Sequence, residues 1–288
     1  MLHPVFAPGR VAVITGAASG IGCAAARHFV ALGMQVCMAD VHGERLARAA
    51  GEVAAAAPGG ADAVMHRVAD VADFDAMCAL EVGVRARFGE CALLMNNAVT
   101  RTGGDVLGRH QDWRTAFDVN VWGVLNGIQA FVPAMVAQGT PCAVVNSGSK
   151  QGITMPPGNS AYNVTKAALK VATEMLAHEL RCIEGCQISA HLLIPGWTTT
   201  GDREHRPGAW LPEQVVTKLV DAIETGDFYI LCPDNEVTTE MDHKRILWAA
   251  GDILNNRPPL SRWHEEHAQT FLEFQAGEIN LNEAFPGV

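Results

Sequence analysis

The chain has 288 residues, 49% hydrophobic and 18% charged, enough apolar material for an extensive core and unlike a disordered or fibrous composition. A formal net charge of −10, with no basic block, excludes the sequence-independent nucleic-acid binding that depends on Lys and Arg neutralising phosphates. The start lacks a basic segment leading into a long apolar run, and no uninterrupted apolar stretch nears the ~20 residues that cross a bilayer, so a cytoplasmic protein without a membrane span is expected.

Along the chain, short β-prone runs alternate with alanine-rich segments of helical period. RVAVITG, MQVCMAD, AVMHRVAD, CALLMNNA, CAVVNSGS, QISAHLLIPG and DFYILCP read as strands. Helices are predicted at 20–32, 44–56, 73–88, 112–138, 161–184 and 212–225. Strands that are nearly continuous in apolar residues are buried on both faces, which implies a parallel sheet covered by helices, an α/β doubly wound fold of about seven strands. No repeat or linker divides the chain, so one domain spanning 1–288 is expected. Its last stretch, 233–288, breaks the alternation: a helix around 238–254, a break at NRPPL and an amphipathic stretch at 261–273 form a helical C-terminal extension packed on the core or on a second subunit.

Eight cysteines are scattered through the chain, several inside apolar runs where a reduced thiol behaves as a small hydrophobe. Cys182 and Cys186 stand one helical turn apart, but no second pair offers zinc spacing, and no metal site is expected.

The first strand ends in TGAASGIG, which sets Gly16, Gly20 and Gly22 in a strand-to-helix turn. Glycine there permits a sharp bend and close approach to a pyrophosphate, and the next helix supplies free N–H groups for the anion. Asp40 closes the second strand 24 residues after Gly16, near the offset of an acid that binds a ribose 2′-hydroxyl. A carboxylate there repels a 2′-phosphate, and with no Arg or Lys in 15–26, charge favours NAD over NADP. Such a turn also occurs as an ordinary glycine-rich loop, and Asp40 as a solvated strand end.

Tyr162 and Lys166 stand four apart on one helix face. A free phenol with pKa near 10 is a poor base, and a nearby ammonium is expected to lower that value by about 1–3 units. Ser149 lies thirteen residues before Tyr162, just past a strand end that opens on the ligand crevice, with Ser147 as its rival. Asn120 sits in an apolar helix pattern where its amide needs partners, and Gly123 and Gly127 after it imply close packing or a local distortion.

These residues together resemble the short-chain dehydrogenase/reductases of the subclass with about 250-residue one-domain subunits. The likeness covers most of 8–232 and rests on TGAASGIG, Asp40, Asp70-Val71, NNA at 96–98, Asn120, Ser149, Tyr162-x-x-x-Lys166 and Pro195-Gly196. It implies a Rossmann-like catalytic core over 8–232 and an NAD(H)-dependent oxidoreductase that interconverts a secondary alcohol and a ketone. Tyr162 would be the catalytic acid/base, Lys166 would lower its pKa and hold the nicotinamide ribose, Ser149 would bond the substrate oxygen, and Asn120 would hold a water in a proton relay. Ser19, Ile21 and Val41 join the glycine turn and Asp40 as implied cofactor contacts. Asp70 and Val71 would meet the adenine, Asn97 and Ala98 the adenosine side, and Pro195, Gly196, Thr198 and Thr200 the nicotinamide and phosphates.

The chain departs from the family pattern in Val99, where a glycine usually follows NNA, in the SGSK setting of its serine, and in its missing glycine-rich ending. The segment TTTGDREHRPGA between Trp197 and Trp210 occupies the place of a mobile substrate lid, in which Arg203, His205 and Arg206 read either as contacts for an acidic substrate or as a solvated charged loop. Lys150, Gln151, Met155, Trp197 and Trp210 near the site suit a bulky apolar or ring-bearing substrate. Family habit and the two long helices imply a homodimer or homotetramer. The competing readings are a non-catalytic NAD-binding sensor or scaffold, and an NADP-dependent ketone reductase.

Overall fold

Each apolar run predicted as a strand forms one in the computed structural model, which describes residues 3–201 and 203–280. The strands are β1 (Val11–Thr15), β2 (Gln35–Asp40), β3 (Val64–Val68), β4 (Leu93–Asn96), β5 (Cys142–Ser147), β6 (Ile188–Ile194) and β7 (Tyr229–Leu231). They pair in parallel throughout, in the order β3-β2-β1-β4-β5-β6-β7. The order reverses direction between β1 and β4, and a crevice opens beyond the carboxyl ends of strands at such a switch point. β1 and β5 are buried along their whole length, as their unbroken apolar character requires, whereas the edge strand β3 exposes His66, Arg67 and Val68.

The helices are α1 (Gly20–Ala31), α2 (Gly43–Ala56), α3 (Phe74–Phe88), α4 (His110–Phe117), α5 (Gly123–Gln138), α6 (Gln151–Thr154), α7 (Ser160–Cys182), α8 (Pro212–Thr225), α9 (Thr239–Leu254) and α10 (Ala268–Ala276). α1, α2 and α8 cover one face of the sheet and α3, α5 and α7 the other, each face burying its own apolar cluster. Local signals set several boundaries. Asp73 caps α3 by accepting from the N–H groups of Asp75 and Ala76, and Gly89 ends it in the left-handed region. α8 starts on Pro212 and stops at left-handed Gly226.

The long helix expected over 112–138 is interrupted. A π-helical turn at Asp118–Trp122 separates α4 from α5 and carries Asn120. The close packing that the two glycines implied is present: a Cβ on Gly123 would stand 2.5 Å from Val71 Cγ2, and one on Gly127 only 2.1 Å from Asn96 Oδ1. The helical stretch His110–Gln138 is long and apolar enough on average to cross a bilayer, although polar residues interrupt it throughout. It packs against α3, β4, β5 and α7 as a core helix of the sheet's second layer.

The extension folds back on the body. α9 packs on α6, and Trp248 is enclosed by Phe271 and Phe274 of α10, with its indole N–H donating to Ser261 Oγ at 2.7 Å. The break at NRPPL is present, but the last helix begins later than the predicted 261, after a single 3₁₀ turn at Ser261–Trp263. Residues 281–288 of the expected extension lie outside the described residues.

Two helix glycines provide a matched test of this packing. Gly51 in α2 has open space around its missing side chain, so Gly51→Ala is expected to stabilise the protein by up to about 1 kcal/mol. Gly127→Ala gains the same propensity but drives a methyl into Asn96, whose amide is committed to Asn146 at 2.9 Å, and a net loss of about 1–3 kcal/mol is expected. Urea unfolding midpoints of the two variants should move in opposite directions.

Candidate active site

A cleft of about 740 Å³ runs across the carboxyl ends of β1, β2, β4, β5 and β6. Gly16, Ser19, Gly20, Ile21, Asp40, Val41, Asp70, Val71, Asn97, Ala98, Ser149, Tyr162, Lys166, Pro195, Gly196, Thr198 and Thr200 all line it. Among the residues expected from the sequence, Gly22 and Asn120 stand behind its wall.

The glycine turn is held by Asn97. The Asn97 side-chain amide donates to the carbonyls of Thr15 at 3.1 Å and Gly16 at 3.2 Å, while its backbone N–H donates to Thr15 Oγ1 at 3.0 Å. Gly16 has φ +64°, and a Cβ there would stand 2.7 Å from Ala98 Cα. A Cβ on Gly22 would meet the Gly16 carbonyl at 2.4 Å. Both close approaches keep the start of α1 against the ends of β1 and β4, leaving a cradle beside helix N–H groups that fits a dinucleotide's pyrophosphate. Asn97 therefore spends its amide on the turn itself.

At the β2 end, the Asp40 carboxylate accepts from Ala18 N–H at 3.1 Å, from His42 N–H at 3.0 Å, and lies 3.0 Å from His42 Nδ1. Asp40 thus orders the loop around it as well as facing the cleft. Arg45, which sequence reasoning passed over, lines the same end, 3.1 Å from the His42 ring. Asp70 accepts from Ala72 N–H at 3.0 Å, and the Val71 carbonyl receives the Asn126 amide at 2.8 Å.

At the other end, α7 carries Tyr162 and Lys166 on one face. Ser149 lies beside Tyr162 on the cleft wall, near enough that its hydroxyl favours the ionised phenol, and its Oγ accepts from Gln151 N–H at 3.2 Å. Ser147, the rival serine, points its hydroxyl to Asn97 Oδ1 at 3.4 Å and offers its carbonyl to Lys166 Nζ at 2.6 Å. The thirteen-residue spacing selected the serine that meets the phenol.

The electrostatics depart from the expected ion pair. Burial draws Lys166 down to about 7, and Arg101 pushes in the same direction. Burial raises Tyr162 above its ordinary value, against the Ser149 hydroxyl and the charge of Arg101. With the lysine titrating below the tyrosine, no pH leaves both charged. Lys166 Nζ sits 5.6 Å from the Tyr162 ring centroid, and the cation that lowers the phenol is Arg101.

Asn120 is wholly buried in its π turn, a distortion found mostly at functional sites. Its Oδ1 accepts from Thr100 N–H at 2.8 Å, and its amide donates to the Thr100 carbonyl at 3.0 Å and Thr165 Oγ1 at 3.1 Å. It ties the segment after β4 to α7, one residue from Arg101 and one from Lys166.

Lys150, next to Ser149, is buried with its ammonium 2.7 Å from Asp242 Oδ2 on α9 and 3.2 Å from Asp234 Oδ2 after β7. Asp234 also accepts from Trp197 N–H at 3.1 Å. Burial works against its ionisation, but that bond, Lys150 and the N–H groups of Val237 and Glu236 hold its carboxyl below the usual carboxylate range. The extension is thereby fastened to both the serine loop and the Pro195–Thr200 segment. Neither acid was singled out in the sequence, where their pairing leaves no local pattern. Of the other residues expected nearby, Gln151, Trp197 and Arg203 line the cleft, whereas Met155, His205, Arg206 and Trp210 do not. Trp210 instead braces the lid, exchanging backbone hydrogen bonds of 2.8 and 2.9 Å with Trp197 and Thr199. Asp202 of that segment lies outside the described residues.

A doubly wound parallel sheet, a glycine turn at its switch point and a wall of Ser149, Tyr162 and Lys166 facing that turn place the chain in a family of dinucleotide-fold proteins. The chain belongs to the short chain dehydrogenase family, whose model matches residues 10–207. It is 38% identical over 173 residues to SadH of Mycobacterium tuberculosis, an oxidoreductase by name, a match that covers 60% of this chain and 61% of SadH. It is 35% identical over 195 residues to a 1-deoxy-11-beta-hydroxypentalenate dehydrogenase of Streptomyces arenae, covering 66% of this chain and 68% of that protein. Among solved structures, a short chain dehydrogenase/reductase from Burkholderia phymatum in complex with NAD superposes with a TM-score of 0.79 at 32% identity, over 88% of this chain and 96% of that one. A metagenomic short-chain oxidoreductase in complex with NADP gives a TM-score of 0.65 at 28% identity, over 79% of this chain and 98% of that one.

Two measurements check this geometry. Because Lys166 titrates at about 7 when folded but near 10.5 when free, the unfolded chain binds the extra proton between those values, and its contribution makes stability rise with pH through that window. Urea unfolding at pH 7, 8 and 9 should show this increment in the wild type and its absence in Lys166→Met; equal slopes would contradict the buried, unpaired state. Asp242→Ala removes one of two carboxylates from a buried cation, and a loss of about 3 kcal/mol is expected, partly recovered in Lys150→Met/Asp242→Leu.

Proposed function

We propose that the protein is an NAD-dependent dehydrogenase/reductase that interconverts a secondary alcohol and a ketone on a bulky or ring-bearing substrate. The observation that carries this reading is the meeting of Ser149 and Tyr162 on the cleft wall, with Lys166 one turn further along α7. A bound nicotinamide cofactor supplies the hydride acceptor or donor. Tyr162 holds the proton that the substrate oxygen gains or loses, Ser149 orients that oxygen, and Lys166 and Asn120 fix the catalytic face of α7. Trp197 and Gln151 provide apolar and polar surface for the substrate body.

NAD is supported by Asp40, whose carboxylate sits where a 2′-phosphate would be repelled. Arg45 at the same end favours a second reading, NADP, because a guanidinium there accommodates that phosphate. We also propose a homodimer or homotetramer: Val164, Val171 and Met175 leave an apolar stripe exposed on α7, with Trp122 exposed on the π turn. The eight cysteines are all free, in keeping with a reducing, cytoplasmic setting. The unit that performs the chemistry is taken as 8–232, with the described part of the 233–288 extension bracing it.

Tyr162→Phe is expected to lower kcat by at least a hundredfold on a panel of secondary alcohols and ketones while calorimetry finds cofactor binding retained. Equal activity would remove the assigned acid/base. A kcat/KM preference for NADP would favour Arg45 over Asp40 as the deciding charge. Since burial raises the Tyr162 phenol, it carries its proton at neutral pH, and alcohol oxidation is expected to climb about tenfold per pH unit from 7 to 9 while ketone reduction stays nearly flat.

A further inference from the structure

The cations lining the cleft gather toward one end. Asp40 and Asp70 stand with Arg45 at one end; at the other, near Tyr162, are Lys150, Lys166, Arg101 and Arg203 and no carboxylate of the lining. Two of these cations are accounted for. Lys150 is neutralised by Asp234 and Asp242, and Lys166 is directed at the Ser147 carbonyl and titrates at about 7. Arg101 and Arg203 remain on the same lining; burial and then the charge of Arg203 draw Arg101 below its ordinary value, and among the described residues neither forms an ion pair with a carboxylate. Among the described residues, Arg101 donates to Thr200 Oγ1 at 3.1 Å.

Arg101 is also held in place. The Asn120 amide clamps the N–H and the carbonyl of Thr100, and the Thr100 and Thr102 hydroxyls bond each other at 2.9 Å, fixing the backbone on both sides of the arginine. Two guanidiniums set near each other at the mouth of a cleft, in a chain of net charge −10, store a repulsion that a shared anion relieves. The planar fork of arginine matches the two oxygens of a carboxylate.

We propose that Arg101 and Arg203 form a subsite for a carboxylate carried by the substrate, so that the enzyme acts on hydroxy or oxo acids rather than on neutral alcohols. This inference rests on the dehydrogenase reading of the same cleft. An oxyanion at Arg101 has one other possible source, the cofactor's own pyrophosphate, since Thr200 also packs on Gly20, 3.1 Å from where a Cβ would be.

The test is calorimetric titration of the full-length, cofactor-saturated protein with benzoate and with its uncharged analogue benzamide. The wild type is expected to bind benzoate at least tenfold more tightly than benzamide. Arg101→Met erases that preference, Arg101→Lys keeps part of it, and Arg203→Met weakens it less. Equal binding of the two probes, or no binding of benzoate, overturns the proposal. So does an Arg101→Met variant that weakens the cofactor while preserving the benzoate preference, which would assign the guanidinium to the pyrophosphate. Tyr162→Phe is expected to keep the benzoate preference while losing turnover. A wild type that binds benzoate through Arg101 but turns over no hydroxy or oxo acid and no neutral alcohol or ketone would therefore sink the dehydrogenase reading and leave the anion subsite standing.

Discussion

One chain of hydrogen bonds crosses the carboxyl ends of three neighbouring strands and ends on the helix that carries Tyr162. The Asn97 amide at the end of β4 grips the carbonyls of Thr15 and Gly16 after β1, Ser147 at the end of β5 donates to Asn97, and Lys166 on α7 donates to the Ser147 carbonyl. Each member satisfies a polar group that would otherwise be costly to leave unpaired. The glycine turn and the Ser-Tyr-Lys wall are thus two ends of one connected object. Gly16 and Gly22 are the steric condition for it, because a methyl at either position would separate the strands the chain joins.

Much of this was legible in the sequence. Strand runs without alternation announced a sheet buried on both faces, and every one of them became a strand. The cost of placing Asn120, Gly123 and Gly127 in one helix announced a distortion, and the π turn with its clamped amide is that distortion. What was not legible involves groups that meet only through the tertiary fold. Arg101 follows a strand end in an undistinguished loop, and its effect on Tyr162 depends on how the chain after β4 crosses the cleft. Lys150, Asp234 and Asp242 are up to 92 positions apart.

The tyrosine–lysine relation shows why spacing alone misleads on charge. Four residues on a helix guarantee a shared face, and Tyr162 and Lys166 do share it. Spacing says nothing about burial, and burial moves the two groups in opposite directions until they no longer ionise together. The local cation is supplied from elsewhere in the chain. This division of labour leaves Lys166 free to serve as a hydrogen-bond donor in the interior and Arg101 as a permanent charge at the mouth.

The ammonium of Lys150 has a bearing on biogenesis. A ribosome delivers residue 150 well before the two acids that neutralise it, so a nascent chain carries an unmatched positive side chain beside its serine loop until the segment through Asp242 has emerged. Burial of that side chain, and with it the final setting of the loop, waits on nearly complete translation.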